Sequence, residues 1–444
     1  MSSSSSRYIE IRPDNIPADG KISFKNGFPV LSFTVSAQDG ILDPSTVRII
    51  GEFSAFKDNL TTPTPLINGD HVTMNNRLGI YNVIESLTIR SQKSKMICEN
   101  IRHYSKYLQT YKALTSSVAD QQTFLSEGCL IDPNPTTFRK SVMESDSTAV
   151  AQTNSFSFHV PSGFMSSGNM IDLRPDAFGG VQLEFLLQPD SNVLYSVNAS
   201  TAGIGDAHYE LKNLKLTCEV MDPADTPVSE EGSMEFSTIT SLYTSINSTN
   251  AQIQYSLALR QVQSAFMTFM PVSNINTLTQ DGQATTYPSG DGASLTALAK
   301  IKRVQFLKGG VKYPADFDFV ANTESLNNSA TTLPDPEIVR GLADALSPGI
   351  GFERTAISPI NMNRDYNLGT GVGVETSYMN VPEGGAIMGL GVKYGMGGGE
   401  NFSLEQWGVS IDSDLKSDNP IGVYIFIKSL AQLVYNRNGV SLMQ

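Results

Sequence analysis

Apolar side chains recur at every second position in one short stretch after another of this chain, and each stretch ends at a turn former. Leu31, Phe33 and Val35 alternate with polar neighbours, as do Leu87 and Ile89, and Leu214, Leu216 and Cys218. Period two is the signature of a strand with one face buried. Pro44, Gly51, the Asn68-Gly69 pair and the Gly309-Gly310 pair punctuate these runs. Many short strands separated by turns pack as sandwiches or barrels, because each sheet must cover its apolar face with another. At 444 residues the chain accommodates two large β domains or three smaller ones.

The pattern runs through the chain twice. Residues 1–20 are polar, with Pro13 and Pro17, and are expected to form a flexible N-terminal arm. Residues 21–221 form a first strand-rich unit, with strands expected at 28–35, 46–56, 81–90, 155–160, 171–173, 181–187 and 209–221. A short return strand is expected at 96–98. A helical insert lies near 99–127: Ile101, Tyr104, Leu108, Tyr111 and Leu114 fall on one helical face, and a second short helix is expected at 117–127, ending at Gly128. Residues 222–233 carry two prolines and four acids and make the best linker. Residues 234–444 form the second unit. Its strands are expected at 235–244, 251–259, 299–307, 311–313, 408–411, 423–427 and 433–443. The Met- and Phe-rich run at 262–270 reads as helical or irregular, 382–399 as a loop or irregular strand pair, and 336–346 as an amphipathic helical insert. The expected fold class is all-β with short helical insertions. Periodicity alone does not choose among sandwich topologies.

Charge narrows the function classes. The net charge is −13, and the first basic residue, Arg7, follows a serine tract. Proteins that gather nucleic acid neutralise phosphates with basic patches or arms, and the sequence shows none. Cys98, Cys129 and Cys218 are an odd count, too few for a disulfide framework. They read as buried free thiols of a protein folded in a reducing compartment. No apolar run reaches the length of a membrane span, and the N-terminus lacks the apolar core of a signal peptide. Asn59, Asn198, Asn247, Asn327 and Asn401 match the glycosylation pattern, which means little without secretion.

No constellation of residues points to catalysis, a cofactor or a metal. His71, His103, His159 and His208 fall in four different elements without ligand spacing. Asp412, Asp414 and Asp418 suggest a cation loop, but Lys416, Ser417 and Val423 stand where an EF-hand needs an oxygen ligand, a glycine and a glutamate. A solvated loop is the better reading. The glycines between Gly395 and Gly399 are followed by Glu400 and Asn401, where a phosphate loop needs Lys and Ser or Thr. A single Trp407 leaves little for sugar stacking. Tyr104, Tyr107 and Tyr111 are expected to pack on the sandwich with hydroxyls turned to water or to a neighbour. The run Phe266-Met-Thr-Phe-Met270 is expected in the core or at an interface.

Several segments, in order along most of the chain, resemble major capsid proteins of the double-jelly-roll lineage, nearest to those of polinton-like viruses and virophages. They are Phe33-Thr-Val-Ser-Ala-Gln-Asp-Gly-Ile-Leu-Asp-Pro-Ser-Thr-Val-Arg-Ile, Gly79-Ile-Tyr-Asn-Val-Ile-Glu-Ser-Leu-Thr-Ile with Glu99-Asn-Ile-Arg-His-Tyr, and Phe156-Ser-Phe-His-Val-Pro-Ser-Gly-Phe-Met. Gly180-Val-Gln-Leu-Glu-Phe-Leu-Leu, Val304-Gln-Phe-Leu-Lys-Gly-Gly-Val-Lys-Tyr-Pro and the closing Val423-Tyr-Ile-Phe-Ile through Asn438-Gly-Val complete the set. The resemblance implies two tandem eight-stranded jelly rolls and a pseudo-hexagonal homotrimer tiling an icosahedral shell, with loops outside and termini inside. It implies neighbouring capsomers, penton and minor capsid proteins as partners, and no direct sequence-specific nucleic-acid binding. A membrane, a minor protein or a basic protein would then separate shell from genome. The chain would be made and assembled in the host cell and reside in the virion. The competing expectations are a β-sandwich carbohydrate-binding or host-attachment protein, and a β-sandwich hydrolase.

Overall fold

The computed structural model describes residues 6–25, 27, 29–57, 63–64, 72–75, 78–115, 153–196, 206–222, 231–279, 281–283, 301–313, 318–320, 336–346, 389–395, 399–413 and 420–444. These residues form two sandwiches. In the first, one sheet runs β1 (Ser6–Ile11), β12 (His208–Met221), β4 (Ile41–Phe56), β8 (Thr153–His159), with β2 (Lys21–Ile22) beside β1 on β12 and β9 (Ile171–Asp172) on β4. The facing sheet runs β3 (Val30–Val35), β10 (Val181–Leu187), β6 (Ile84–Ser91), β7 (Ile97–Arg102). A small pair, β5 (Val72–Met74) and β11 (Leu194–Ser196), lies apart.

The second sandwich has one sheet of β13 (Glu231–Ile246), β21 (Ile421–Asn436), β15 (Val262–Pro271) and β19 (Gly389–Lys393), with β22 (Gly439–Met443) at the end of β21. Its other sheet is β14 (Asn250–Tyr255), β20 (Trp407–Ser413), β16 (Ile301–Lys308), and the interrupted strand β17 (Val311–Lys312) and β18 (Asp318–Val320). Take β1 with β2, and β17 with β18, as single strands, and set aside the short β5, β9, β11 and β22. Each sandwich then has its strands in the order 1-8-3-6 on one sheet and 2-7-4-5 on the other. All pairings are antiparallel. This is the double-sheet, eight-stranded arrangement of a jelly roll. A helix follows the fifth strand in each: α1 (Tyr104–Thr115) and α3 (Pro336–Leu346), while the short α2 (Asp190–Val193) lies between β10 and β11.

Inward positions of both sheets fill each core. Phe33, Phe53, Phe185 and Tyr209 are fully or almost fully buried in the first, and Phe306, Trp407, Ile411 and Ile425 in the second. The Trp407 indole N–H donates to the Tyr394 hydroxyl at 2.8 Å, which satisfies its one polar atom inside the core.

Five expectations need correction. The N-terminal segment is not a loose arm: β1 pairs with β12 from Ser6↔Met221 to Ile11↔Leu216. Residues after it cover the edge of β3, where the Asn15 amide donates to the Val30 carbonyl at 2.5 Å and the Ser32 N–H donates to Asn15 Oδ1 at 3.1 Å. A covered edge cannot recruit another strand. The return strand extends to Arg102, so α1 starts at Tyr104 and not at 99. The run 262–270 is strand β15, not helical or irregular, and has almost every residue buried. Residues 231–233, assigned to the linker, already pair with β21. Residues 433–443 are not one strand: they divide between β21 and β22 across a turn at 437–438. The helix expected at 117–127 lies outside the described residues.

Candidate functional site: the seam between the two sandwiches

Chain geometry at His103 builds the contact between the two halves. His103 takes a left-handed backbone, φ 51°, which breaks β7 and starts α1. Its Nδ1 lies 2.9 Å from Glu85 Oε1, and its ring meets Tyr424 edge-on at 5.2 Å. From there α1 runs between β6 and the outer face of the second sandwich. Tyr107 is fully buried against Phe426 at 5.8 Å and Phe266 at 6.2 Å between centroids. Tyr104 donates its hydroxyl to the Pro161 carbonyl at 2.8 Å. The tyrosine hydroxyls at 104 and 107 are therefore inside the molecule rather than turned to water.

Polar groups lock the same helix to the other half. The Lys106 ammonium donates to the Gly282 carbonyl and lies 5.6 Å from the Tyr424 ring centroid. Burial pulls its pKa down to about 8, opposed by the charges of Asp281 and Glu85. Gln109 Nε2 donates to the Gln283 carbonyl at 2.6 Å, and Gln283 Nε2 donates to Asn82 Oδ1 at 2.6 Å. Asn75 Nδ2 donates to Asp281 Oδ2 at 2.7 Å. The Asp281-Gly282 pair thus forms a turn buried against the first sandwich. Buried polar groups of this kind cost free energy unless paired; the donors named here pair across the seam, while Gln109 Oε1 and Gln283 Oε1 have no partner.

A second contact lies beside β7. The buried Glu99 carboxylate accepts the N–H groups of Phe164 at 3.0 Å and Gly163 at 3.3 Å. Burial pushes its pKa up to about 7, although those N–H groups and the hydroxyls of Ser162 and Thr238 act the other way. The turn it holds is pressed on β13. A Cβ at Gly163 would lie 1.5 Å from the Ser237 carbonyl oxygen, so the approach requires glycine. Phe164 meets Phe236 edge-on at 5.4 Å, and Phe178 meets Tyr435 at 5.9 Å.

The remaining sequence candidates are not brought together. His159 packs against Tyr81 and His208 stacks on Phe56, while His71 lies outside the described residues. Asp412 is on β20; Asp414 and Asp418 lie outside the described residues. Cys98 and Cys218 are free and buried, with burial pushing both thiols up to about 12, which makes them poor nucleophiles. Cys129 lies outside the described residues. Glu400 pairs with Lys308 at 3.1 Å and accepts the Tyr313 hydroxyl at 3.0 Å; the lysine holds its carboxyl below the usual range. A cavity of about 10 Å³ between the sheets of the first sandwich is lined by Leu31, Ile49, Phe158, Phe185 and other apolar residues, and has room for about one water. Among the described residues no three His, Cys, Asp or Glu side chains gather as a metal site would require.

No family model matches the sequence, and no curated protein does. Solved structures do match. The chain aligns with the PBCV-1 virus capsid over 100% of its own length and 98% of the other chain, at 12% identity and a TM-score of 0.56. The Faustovirus major capsid protein aligns over 97% and 90%, at 8% identity and 0.56. The Sputnik virophage structure aligns over 99% and 88%, at 11% identity and 0.52. The chain has the double-jelly-roll fold. At these identities the likeness is one of fold, and it spans almost the whole chain.

Proposed function

We propose that this double jelly roll is a viral major capsid protein, a structural subunit without catalytic activity. The observation that carries the reading is duplication with full coverage: the same eight-strand order occurs twice, and the chain aligns end to end with capsid subunits. Two rolls per chain and three chains give six similar lobes, a block that tiles a hexagonal lattice. The first roll would be 6–222 and the second 231–444, joined through 223–230. Penton and minor capsid proteins would complete the shell. With a net charge of −13, its inner surface would not gather the genome by itself, which leaves room for a membrane or a basic protein beneath.

Light scattering on the purified chain tests the reading. Three copies of 48.1 kDa give about 144 kDa, as expected of a closed threefold ring. A monomer of 48.1 kDa at micromolar concentration would overturn it.

A further inference from the structure

Lys106, Asn75 and Asp281 come together at the seam, and all three are buried: they are 6%, 1% and 5% exposed. Lys106 is on α1, Asn75 directly follows β5, and Asp281 lies in the second roll beyond β15. An amine, a carboxamide and a carboxylate are the nucleophile, acyl group and proton carrier of an amide exchange. One dipeptide gathers the other two groups. The Asn75 amide nitrogen donates to Asp281 Oδ2 at 2.7 Å, and the Lys106 ammonium donates to the carbonyl of the next residue, Gly282. The Asn75 carboxamide is held on its other side too. The Leu78 N–H donates to its Oδ1 at 3.2 Å, and the Gly79 N–H donates to the Asn75 main-chain carbonyl at 2.9 Å. A backbone N–H on the carboxamide oxygen is the donor that a developing oxyanion requires. Burial prepares the nucleophile, because it favours the neutral amine and brings the Lys106 pKa down to about 8. The Tyr424 ring, with its centroid 5.6 Å from Nζ, covers the amine.

We propose that Lys106 and Asn75 join in an isopeptide bond, with Asp281 as the proton carrier. Nζ swings from the Gly282 carbonyl to the Asn75 side-chain carbon, a movement that the flexible lysine stem permits. A bond forms between Nζ and Cγ, and the charge that develops on Oδ1 falls on the Leu78 N–H. The bond between Cγ and Nδ2 then breaks. Of the three protons on the ammonium, one stays on the new amide nitrogen and two reach Nδ2 by way of Asp281. Ammonium leaves, Asp281 ends as it began, and no atom is oxidised or reduced. Both ends of the bond belong to the first roll, while the carboxylate that serves them belongs to the second. The bond therefore closes only after the two rolls have docked, and it then ties α1 to the segment after β5. This is a single self-modification rather than turnover of a substrate, and it does not depend on the capsid reading. A closed bond takes Lys106 out of titration, whereas Lys428, lowered to about 8 by its own burial, still titrates.

Mass spectrometry of the purified full-length chain, folded first and then denatured, tests the bond. The exchange removes one ammonia, so the intact mass is expected about 17 Da below that of the sequence. Protease digestion and fragmentation are expected to yield a branched peptide that joins Lys106 to Asn75. Lys106→Arg keeps the charge and cannot form the bond, and it is expected at the full sequence mass. Asp281→Ala is expected at the full sequence mass as well, with circular dichroism to show that each variant is folded. The wild-type mass and the branched peptide decide the bond whatever the variants do. A folded wild type at the full sequence mass would overturn the proposal. A loss of about 17 Da without a branched peptide, which marks a succinimide, would overturn it too. So would a loss of about 18 Da with the branch at Asp281, which marks loss of water instead of ammonia. A folded Asp281→Ala chain that still closes the bond would remove Asp281 from the mechanism.

Discussion

The eighth strands of the two rolls, β12 and β21, hold the same place in the same topology and differ in sequence. Along β12, from Leu214, buried positions alternate with half-exposed ones: Leu214, Leu216, Cys218 and Val220 point into the core, while Lys215, Thr217 and Glu219 point out. In β21 every residue from Ile421 to Ser429 is buried. Inner positions such as Ile425 and Ile427 face the core, and the outer positions Tyr424 and Phe426 meet His103 and Tyr107 from the first roll. Strand order is therefore set by the fold, while the apolar pattern is set by what covers the outer face. A strand covered on both faces becomes a continuous apolar run.

The largest test of that difference is Phe426→Ala. It empties a fully buried site shared by both rolls and is expected to cost about 3–5 kcal/mol, measured by urea unfolding. If the loss is below 1 kcal/mol, the seam is not packed as described. The midpoint should move with a single transition, because α1 belongs to both units.

The next effect is a pH dependence in which buried groups of the seam take part. The Glu99 pKa is raised in the folded protein, to about 7 from an ordinary value of 4.5. Between those values the folded state binds more protons than the unfolded state, so stability falls as pH rises from 4.5 through 7. The full change is of order 3 kcal/mol. Lys106 is lowered from 10.5 to about 8, and Lys428, also buried, to about 8. For these the unfolded state binds more protons between the two values, so stability rises as pH climbs from 8 to 10.5. Together the three groups place a stability minimum near pH 7–8. Unfolding free energies at pH 5, 7.5 and 10 should show it. Glu99→Gln should make the acid limb shallower and leave the part that Asp190, raised to about 6 by burial, contributes; an acid limb that stays as steep in the variant would remove Glu99 from the explanation.

The smallest effect belongs to the other eighth strand. Lys215 on β12 makes an exposed ion pair with Glu10 at 2.7 Å, and such pairs contribute little. Lys215→Ala should change stability by no more than about 0.5 kcal/mol. A loss as large as that of Phe426→Ala would mean that this face is covered within the single chain.

The same contrast explains what could be read from the sequence. Val181–Leu187 was legible to the residue because its sheet has one dry face and one wet one. The run at 262–270 was not, because burial on both faces of β15 erases the alternation that marks a strand. The start of α1 was blurred because Ile101 and Tyr104 sit three apart and satisfy a helical pattern, although Ile101 is in β7. Only the backbone at His103 separates the two, and a left-handed histidine leaves no periodic trace. Ile9 and Ile11 did alternate, but the prolines that follow and the serines that precede them masked a strand whose partner lies some two hundred residues away. The seam itself was the least legible part. Glu99, Lys106 and Gln283 read locally as ordinary polar residues, and their burial follows from contacts between distant segments that no local pattern encodes.

Electron microscopy of the purified full-length chain tests the central claim most directly. A duplicated roll that builds a threefold tile gives particles with six lobes and a hexagonal outline, three of the lobes alternating with three slightly different ones. Two-lobed single particles, or assemblies without threefold symmetry, would contradict it.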